Sequence, residues 1–452
     1  MLAASLLSAC SDAGEPSAKP GLQEPSKRAE LAKLVLPSHY DAGHGWDAVL
    51  PWLPPRVRSI PVTTAKSGGV GLLQTASGGY SVRLHDAATG RIRWSSKAWT
   101  PPAEVQGAEG DGSNAAEIPD LTTASAGGRE YIVAWAHGMR GKDQLHNGGE
   151  VVVLMVYPAD SQGEAVAPER EISVPVSARP GEVRVASADG ALLVSWGGDG
   201  LYGTSAAGVD VSSGKVTSFG DADVLLPQCA ATTGCSGSTV VSATAKGPVV
   251  AIGSGGFGVP GGWLSSSVQP VGVPAKSGFL GALNGRAYGA SGSNLLASWR
   301  TGTSGDGTAV WTVHDVESGR IKAQMACATK GLSGSSGNAY AVVSSPNGSY
   351  VAAGPVAFDL KAKKGVCLQG DGNRKTIDVA SISDDGVAYG AVEAADDSTR
   401  SAPVIAEVAL KTGRSSVLKS GTEVPVAHAG SSGLIVRRDA ADQVQVSLRR
   451  MR

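Results

Sequence analysis

Short apolar runs alternate with glycine-containing turns along most of this chain, and helix-length apolar periodicity is almost absent. Val70-Gly-Leu-Leu-Gln74, Ile132-Val-Ala-Trp135, Leu192-Leu-Val-Ser-Trp196 and Leu295-Leu-Ala-Ser-Trp299 are runs of this kind. Two registers repeat. The first is an Asp-x-x-[Thr/Ser]-Gly-[Arg/Lys] turn, seen as Asp86-Ala-Ala-Thr-Gly-Arg91, Asp210-Val-Ser-Ser-Gly-Lys215 and Asp315-Val-Glu-Ser-Gly-Arg320. Weaker forms lie at 359–365 and 410–414. The carboxylate of such a turn accepts backbone N–H bonds, and its glycine takes a positive φ. The second register is an apolar run, a glycine turn and another apolar run, around Gly69, Gly128, Gly190, Gly247, Gly292, Gly348, Gly386 and Gly433.

Eight hairpins at a spacing of roughly 40 to 60 residues match the period of four-stranded propeller blades. The pattern predicts an all-β fold, a β-propeller of four-stranded blades, with eight blades expected and seven as the alternative. Naming the strands A to D from the centre outward, the glycine hairpin joins A to B and the Asp turn joins C to D. The last repeat offers three strands, near 424–428, 434–438 and 444–448. Residues between about 30 and 58, which include Leu34-Val35-Leu36 and Ala48-Val49-Leu50, are expected to supply the fourth, since closure removes an exposed edge.

Composition agrees with growth by repetition. At 452 residues, 62 of them Gly and 24 Pro, the chain exceeds the usual size of a single core. A formal net charge of −1, from 39 basic and 40 acidic residues, gives no electrostatic footprint for nucleic acid, and none is expected as a partner.

At the amino terminus Leu7-Ser8-Ala9-Cys10 follows an apolar stretch and resembles a bacterial lipobox. The resemblance implies that Cys10 is lipidated, that residues 1–9 are the remnant of a signal peptide, and that the protein is held on the extracytoplasmic face of a cell membrane. No Lys or Arg precedes Cys10, so a basic segment is expected upstream of Met1. Residues 10–29, rich in Ser, Pro, Glu and Lys, read as a flexible tether, and 30–452 as one propeller domain. The remaining cysteines, Cys229, Cys235, Cys327 and Cys367, are even in number in an oxidising compartment. Cys229 and Cys235 suit a local bridge, which leaves Cys327 to pair with Cys367. Cys-x-x-Cys or Cys/His spacing is missing, so no metal site is predicted.

The segment Leu84-His85-Asp86-Ala-Ala-Thr-Gly-Arg-Ile-Arg-Trp94 resembles the repeat of quinoprotein-like propellers, whose blades carry Asp-x-x-Thr-Gly and a Trp on the outer strand. The positions matching Trp94 after the other two good turns are Ser218 and Ala323, a departure from that family's regular Trp docking. The adjacent cysteine pair that lies against the quinone in some of those dehydrogenases is missing too, which argues against PQQ, and no cofactor is predicted. His85 and His314 precede turn aspartates in equivalent positions, so they are expected to brace the turns rather than to catalyse.

Strand alternation puts A–B and C–D turns on one side of the ring and B–C and D–A loops on the other. The long connections are of the second kind: 97–117, 220–238 and 326–338 for D–A, and 136–149, 253–262, 300–308 and 391–402 for B–C. Long loops on one rigid face are where a partner is expected. Strand B ends in Trp135, Trp196 and Trp299, with Ile252 and Tyr389 at the matching places. These indoles are read either as a stacking surface near one mouth or as packing between blades. The candidate binding face is Trp135, His137, Arg140, Lys142, His146, Trp196, Trp299 and Arg300. A Gly-x-Ser-x-Gly elbow, a calcium loop and a convergent catalytic set are missing, so no catalytic residue is predicted. Two functions follow: a binding or scaffolding lipoprotein that holds a protein, peptide or glycan, or a propeller enzyme of the quinoprotein or polysaccharide-active kind.

Overall fold

The computed structural model describes residues 31–105, 117–178, 182–188, 190–197, 203–226, 237–252, 255–273, 285–300, 308–328, 341–371, 373–393, 403–439 and 441–452. They form an eight-bladed β-propeller. Blade 1 comprises Val62–Ala65, Gly69–Ala76, Gly79–Asp86 and Ile92–Ser96. Blade 2 comprises Asp120–Ala126, Arg129–Lys142, Asn147–Pro158 and Arg170–Pro175. Blade 3 is Arg184–Ala188, Ala191–Trp196, Ser205–Val209 and Val216–Asp221. Blade 4 shows three strands among the described residues, Thr239–Thr244, Gly247–Ala251 and Phe257–Gly258. Blade 5 is Gly285–Ser291, Asn294–Arg300, Thr308–Asp315 and Ile321–Ala328. Blade 6 is Val343–Ser344, Tyr350–Ala353, Val356–Asp359 and Lys364–Cys367, and blade 7 is Ile377–Ile382, Val387–Val392, Val404–Ala409 and Arg414–Val417.

Blade 8 is built from both ends of the chain. Ala427–Ala429, Ser432–Arg438 and Val444–Met451 are completed by Tyr40–Leu50, which pairs antiparallel with Val444–Met451 from Tyr40↔Met451 to Leu50↔Val444. The expected closing strand is therefore present. The hairpin glycine of this blade is Gly430 (φ 55°), and Gly433 lies within the second strand.

Both faces of each blade are covered, which explains the nearly continuous apolar second strands. Among the described residues the buried side chains fall into clusters that lie between neighbouring blades, one at each junction around the ring. Two features depart from the plain repeat. The connection 136–149, read as a loop, is largely hairpin: pairing runs on from Trp135↔Leu154 to Lys142↔Asn147. From the next connection Gly163–Val166 pairs parallel to Ile92–Ser96, adding a fifth strand to blade 1.

A disulfide joins Cys327, on the outer strand of blade 5, to Cys367, on the outer strand of blade 6, with Cα atoms 5.5 Å apart. That is the predicted pair. Cys10, Cys229 and Cys235 lie outside the described residues. Among the described residues no helix is long and apolar enough to cross a membrane.

Candidate functional site

On the turn side the repeats are built as their residues require. Asp86 accepts from the backbone N–H and the hydroxyl of Thr89, Asp315 from those of Ser318, and Asp210 from both groups of Ser212 and of Ser213. The Ser212 and Ser213 hydroxyls hold the Asp210 carboxyl down at about 2. Gly90 and Gly319 close their turns at φ 73° and 70°. His85 and His314 each have Nδ1 bonded to the carbonyl of that glycine, at 3.0 and 2.8 Å, so both brace a turn as expected. Arg93 bonds Asp86 and the Ser67 and Gly68 carbonyls, while Lys322 bonds Asp315 and the Ser293 carbonyl. Each cation thus ties the C–D turn of its blade to the A–B turn.

A cavity of about 620 Å³ occupies the ring axis. Its wall includes the A–B turn residues Lys66, Gly292 and Asn347 and the C–D turn residue Leu360, so it opens on the turn side, opposite the predicted face. The inner strands present small residues there: Thr64, Thr123 and Ser187 on blades 1 to 3, then Ser291, Ser344 and Ser381 on blades 5 to 7. Thr64, Thr123 and Ser187 each precede an alanine that is buried in the blade, Ala65, Ala124 and Ala188. His428, before buried Ala429, stands on blade 8 in the place of Thr64 and Ser187, one residue before the pair that closes the hairpin. Its Nε2 lies 2.8 Å from the Tyr40 hydroxyl of the closing strand. Burial pushes the imidazole down to about 4, so it is neutral at neutral pH, and burial pushes the Tyr40 hydroxyl up. Sequence reasoning missed this site. The sequence marks it only by a hydroxyl-alanine step on the inner strands of blades 1 to 3, which is common to crowded strands.

The predicted residues on the loop side divide into several environments. Trp299 is fully buried beside Phe257, and its indole N–H donates to Thr312 Oγ1 at 2.9 Å. It is core between blades 4 and 5 rather than a surface ring. Trp135 and Trp196 are half-buried and pack on one cluster between blades 2 and 3. The His137 ring is enclosed, with Nδ1 3.3 Å from Glu117 and Nε2 2.7 Å from Glu150. Burial alone would lower its pKa, but the two carboxylates reverse this and raise it. It clamps the base of the blade 2 hairpin. Arg140 pairs with Glu171 and Ser173, and His146 with Asp143 in the tip turn. Lys142 is exposed near that tip. Arg300 ends its strand, and its side chain lies outside the described residues. Among the described residues no three His, Cys, Asp or Glu side chains are grouped to hold a metal ion.

No family model matches this chain, and no curated protein does. Among solved structures it is similar to lmo1340, an uncharacterized protein of Listeria monocytogenes, at 7% identity over 84% of this chain and 90% of that one, TM-score 0.37. It is similar to the WD40 domain of Toxoplasma gondii coronin at 8% identity over 90% and 85%, TM-score 0.34. A third likeness is to the dihydro-heme d1 dehydrogenase NirN in complex with DHE, at 13% identity over 88% and 80%, TM-score 0.28. The ring of blades defines this chain as a β-propeller. At such identities and scores the likenesses carry no ligand or activity across.

Proposed function

We propose that this chain is an extracytoplasmic binding module, held to a membrane by a lipid on Cys10, that presents the loop face of its propeller to a protein, peptide or glycan. A rigid ring that displays long connections on one side suits binding or scaffolding. The supporting observation is the blade 2 hairpin. Its strands run 14 and 12 residues, against 6 and 5 for the matching strands of blade 3. A backbone-bonded projection therefore continues beyond the inner strand, which ends opposite Trp135. It carries Arg140, Lys142 and His146, with Leu145 89% exposed at the tip.

The test is capture of a partner from detergent-solubilised source membranes by the soluble propeller and by a Lys142→Glu, Leu145→Ser variant of equal melting temperature. The expected result is a partner held by the first and lost by the second. The same partner held equally by both would rule out the hairpin. For the anchor, the Cys10→Ser protein is expected to leave the membrane fraction. Its retention after high-salt washing would overturn the lipid reading.

A further inference from the structure

The axial cavity lies away from the loop face, and its size is within the roughly 300–1,000 Å³ of small-molecule sites. Its two walls differ in chemistry. On blades 5 to 8 the hydroxyls are engaged within the protein. Ser291 and Ser344 bond each other at 2.7 Å, Ser345 bonds Asn347, and Ser381 donates to the Pro425 carbonyl. The apolar side chains towards the cavity there are Val343, Ala380, Ala427 and Val426, which is 54% exposed. On blades 1 to 3 the opposite holds. Thr64, Thr123 and Ser187 lie on adjacent inner strands, and among the described residues no partner takes their hydroxyls. A hydroxyl is both donor and acceptor, so three of them on one wall can meet ligand hydroxyls, while the facing wall matches a C–H surface.

Charge narrows the choice further. Among the described residues no carboxylate side chain lines the cavity. Lys322 is neutralised by Asp315 at 3.1 Å and bonded besides to Ser293 and Asn294. His428 is held by Tyr40. Lys66 stands at the rim, in the A–B turn. We propose that the axial cavity binds a neutral sugar, its hydroxyl edge on Thr64, Thr123 and Ser187 and its apolar face on blades 6 to 8.

The probes are methyl α-D-glucopyranoside, methyl β-D-galactopyranoside and N-acetylglucosamine, read by saturation-transfer NMR and calorimetry on the whole propeller, with glucose 6-phosphate as an anion of similar shape. At least one neutral sugar is expected to bind. The near-isosteric Thr64→Val, Thr123→Val double variant should weaken it by about tenfold or more at unchanged melting temperature. Ser187→Phe, which fills the cavity, should abolish it, and Lys142→Glu should leave it intact, which separates this site from the loop face. Absence of binding by all three sugars overturns the proposal. So does binding that survives Ser187→Phe, or glucose 6-phosphate binding more tightly than any neutral probe, since Lys66 would then be the determinant.

Discussion

Single side chains on the turn side act through local geometry, and their effects should fall on stability rather than on partner capture. Asp86→Ala, Asp210→Ala or Asp315→Ala removes the acceptor of a tight turn. Each is expected to cost about 1 kcal/mol in denaturant unfolding and leave capture by the folded fraction unchanged. Buried histidines set a second dependence. His314 and His428 are both held at about 4 by burial, against ~6.5 in an unfolded chain. Below pH ~6.5 the unfolded chain takes protons that the fold refuses, so stability falls as pH drops from about 6.5 to about 4. The full loss is on the order of 3 kcal/mol for each histidine. His137 runs the other way, since its raised pKa contributes stability at low pH that is lost as pH rises through that value. Melting curves from pH 7.5 to 4 should therefore show a decline that is shallower in His428→Gln. A flat profile in the parent protein would contradict the neutral burial of both rings.

Between elements, indole docking is the recurrent device. Trp46 donates its N–H to the Ala87 carbonyl at 3.0 Å, Trp94 to that of Ala159 at 3.5 Å and Trp263 to that of Val316 at 3.0 Å. Each acceptor is the residue just after strand C of the following blade, so the same joint is made from blade 8 to 1, 1 to 2 and 4 to 5. The turn glycine admits the ring: a Cβ on Gly90 would lie 2.6 Å from Trp46, and one on Gly319 2.5 Å from Trp263. The Asp turns were legible in sequence because carboxylate, hydroxyl and glycine are demanded by a few consecutive backbone groups. The docking was not, because Trp46 comes from the closing strand and Trp263 from the segment after a two-residue strand, so Ser218 and Ala323 at the repeat position pointed away from it. The cavity wall escaped for a different reason: Ser, Thr and Ala are what any crowded inner strand accepts. Trp263→Ala is expected to cost about 3–5 kcal/mol. Trp263→Phe, which loses chiefly the hydrogen bond, should cost about 1 kcal/mol by the same denaturant assay. Similar losses for both would mean that the bond rather than the packed ring holds the joint. The Cys327–Cys367 bridge makes the corresponding joint between blades 5 and 6, and Cys327→Ser with Cys367→Ser is expected to lower stability by about 2–4 kcal/mol.

At the scale of the whole ring, everything depends on the joint that the two ends of the chain make together. The closing strand was readable because the last repeat ran out of strands, but how much it carries is visible only in three dimensions. Tyr40–Leu50 covers the edge of Val444–Met451 along its length. Trp46 docks on blade 1. Asp47 meets the fully buried Arg449 at 2.9 Å, and that guanidinium also donates to the carbonyls of Trp46 and Ala32. Burial would raise the Asp47 carboxyl, yet Arg449 and its other donors hold it below the usual carboxylate range, so the pair is ionised at neutral pH. Removing one partner of such a pair is costly, about 3–5 kcal/mol, because the other charge stays buried and uncompensated. A chain beginning at Pro51 would lose the pair, the docked indole and the edge cover at once, and would expose a strand able to pair with another molecule. Such a chain is expected to melt well below the parent and to self-associate in size-exclusion chromatography. A chain lacking only residues 1–29 should match the parent in both. A peptide spanning 31–52, added to the truncated chain, should restore the parent's elution position and most of the melting temperature. Parental elution and parental melting without the closing strand would show that the disulfide and the remaining blade junctions hold the ring unaided.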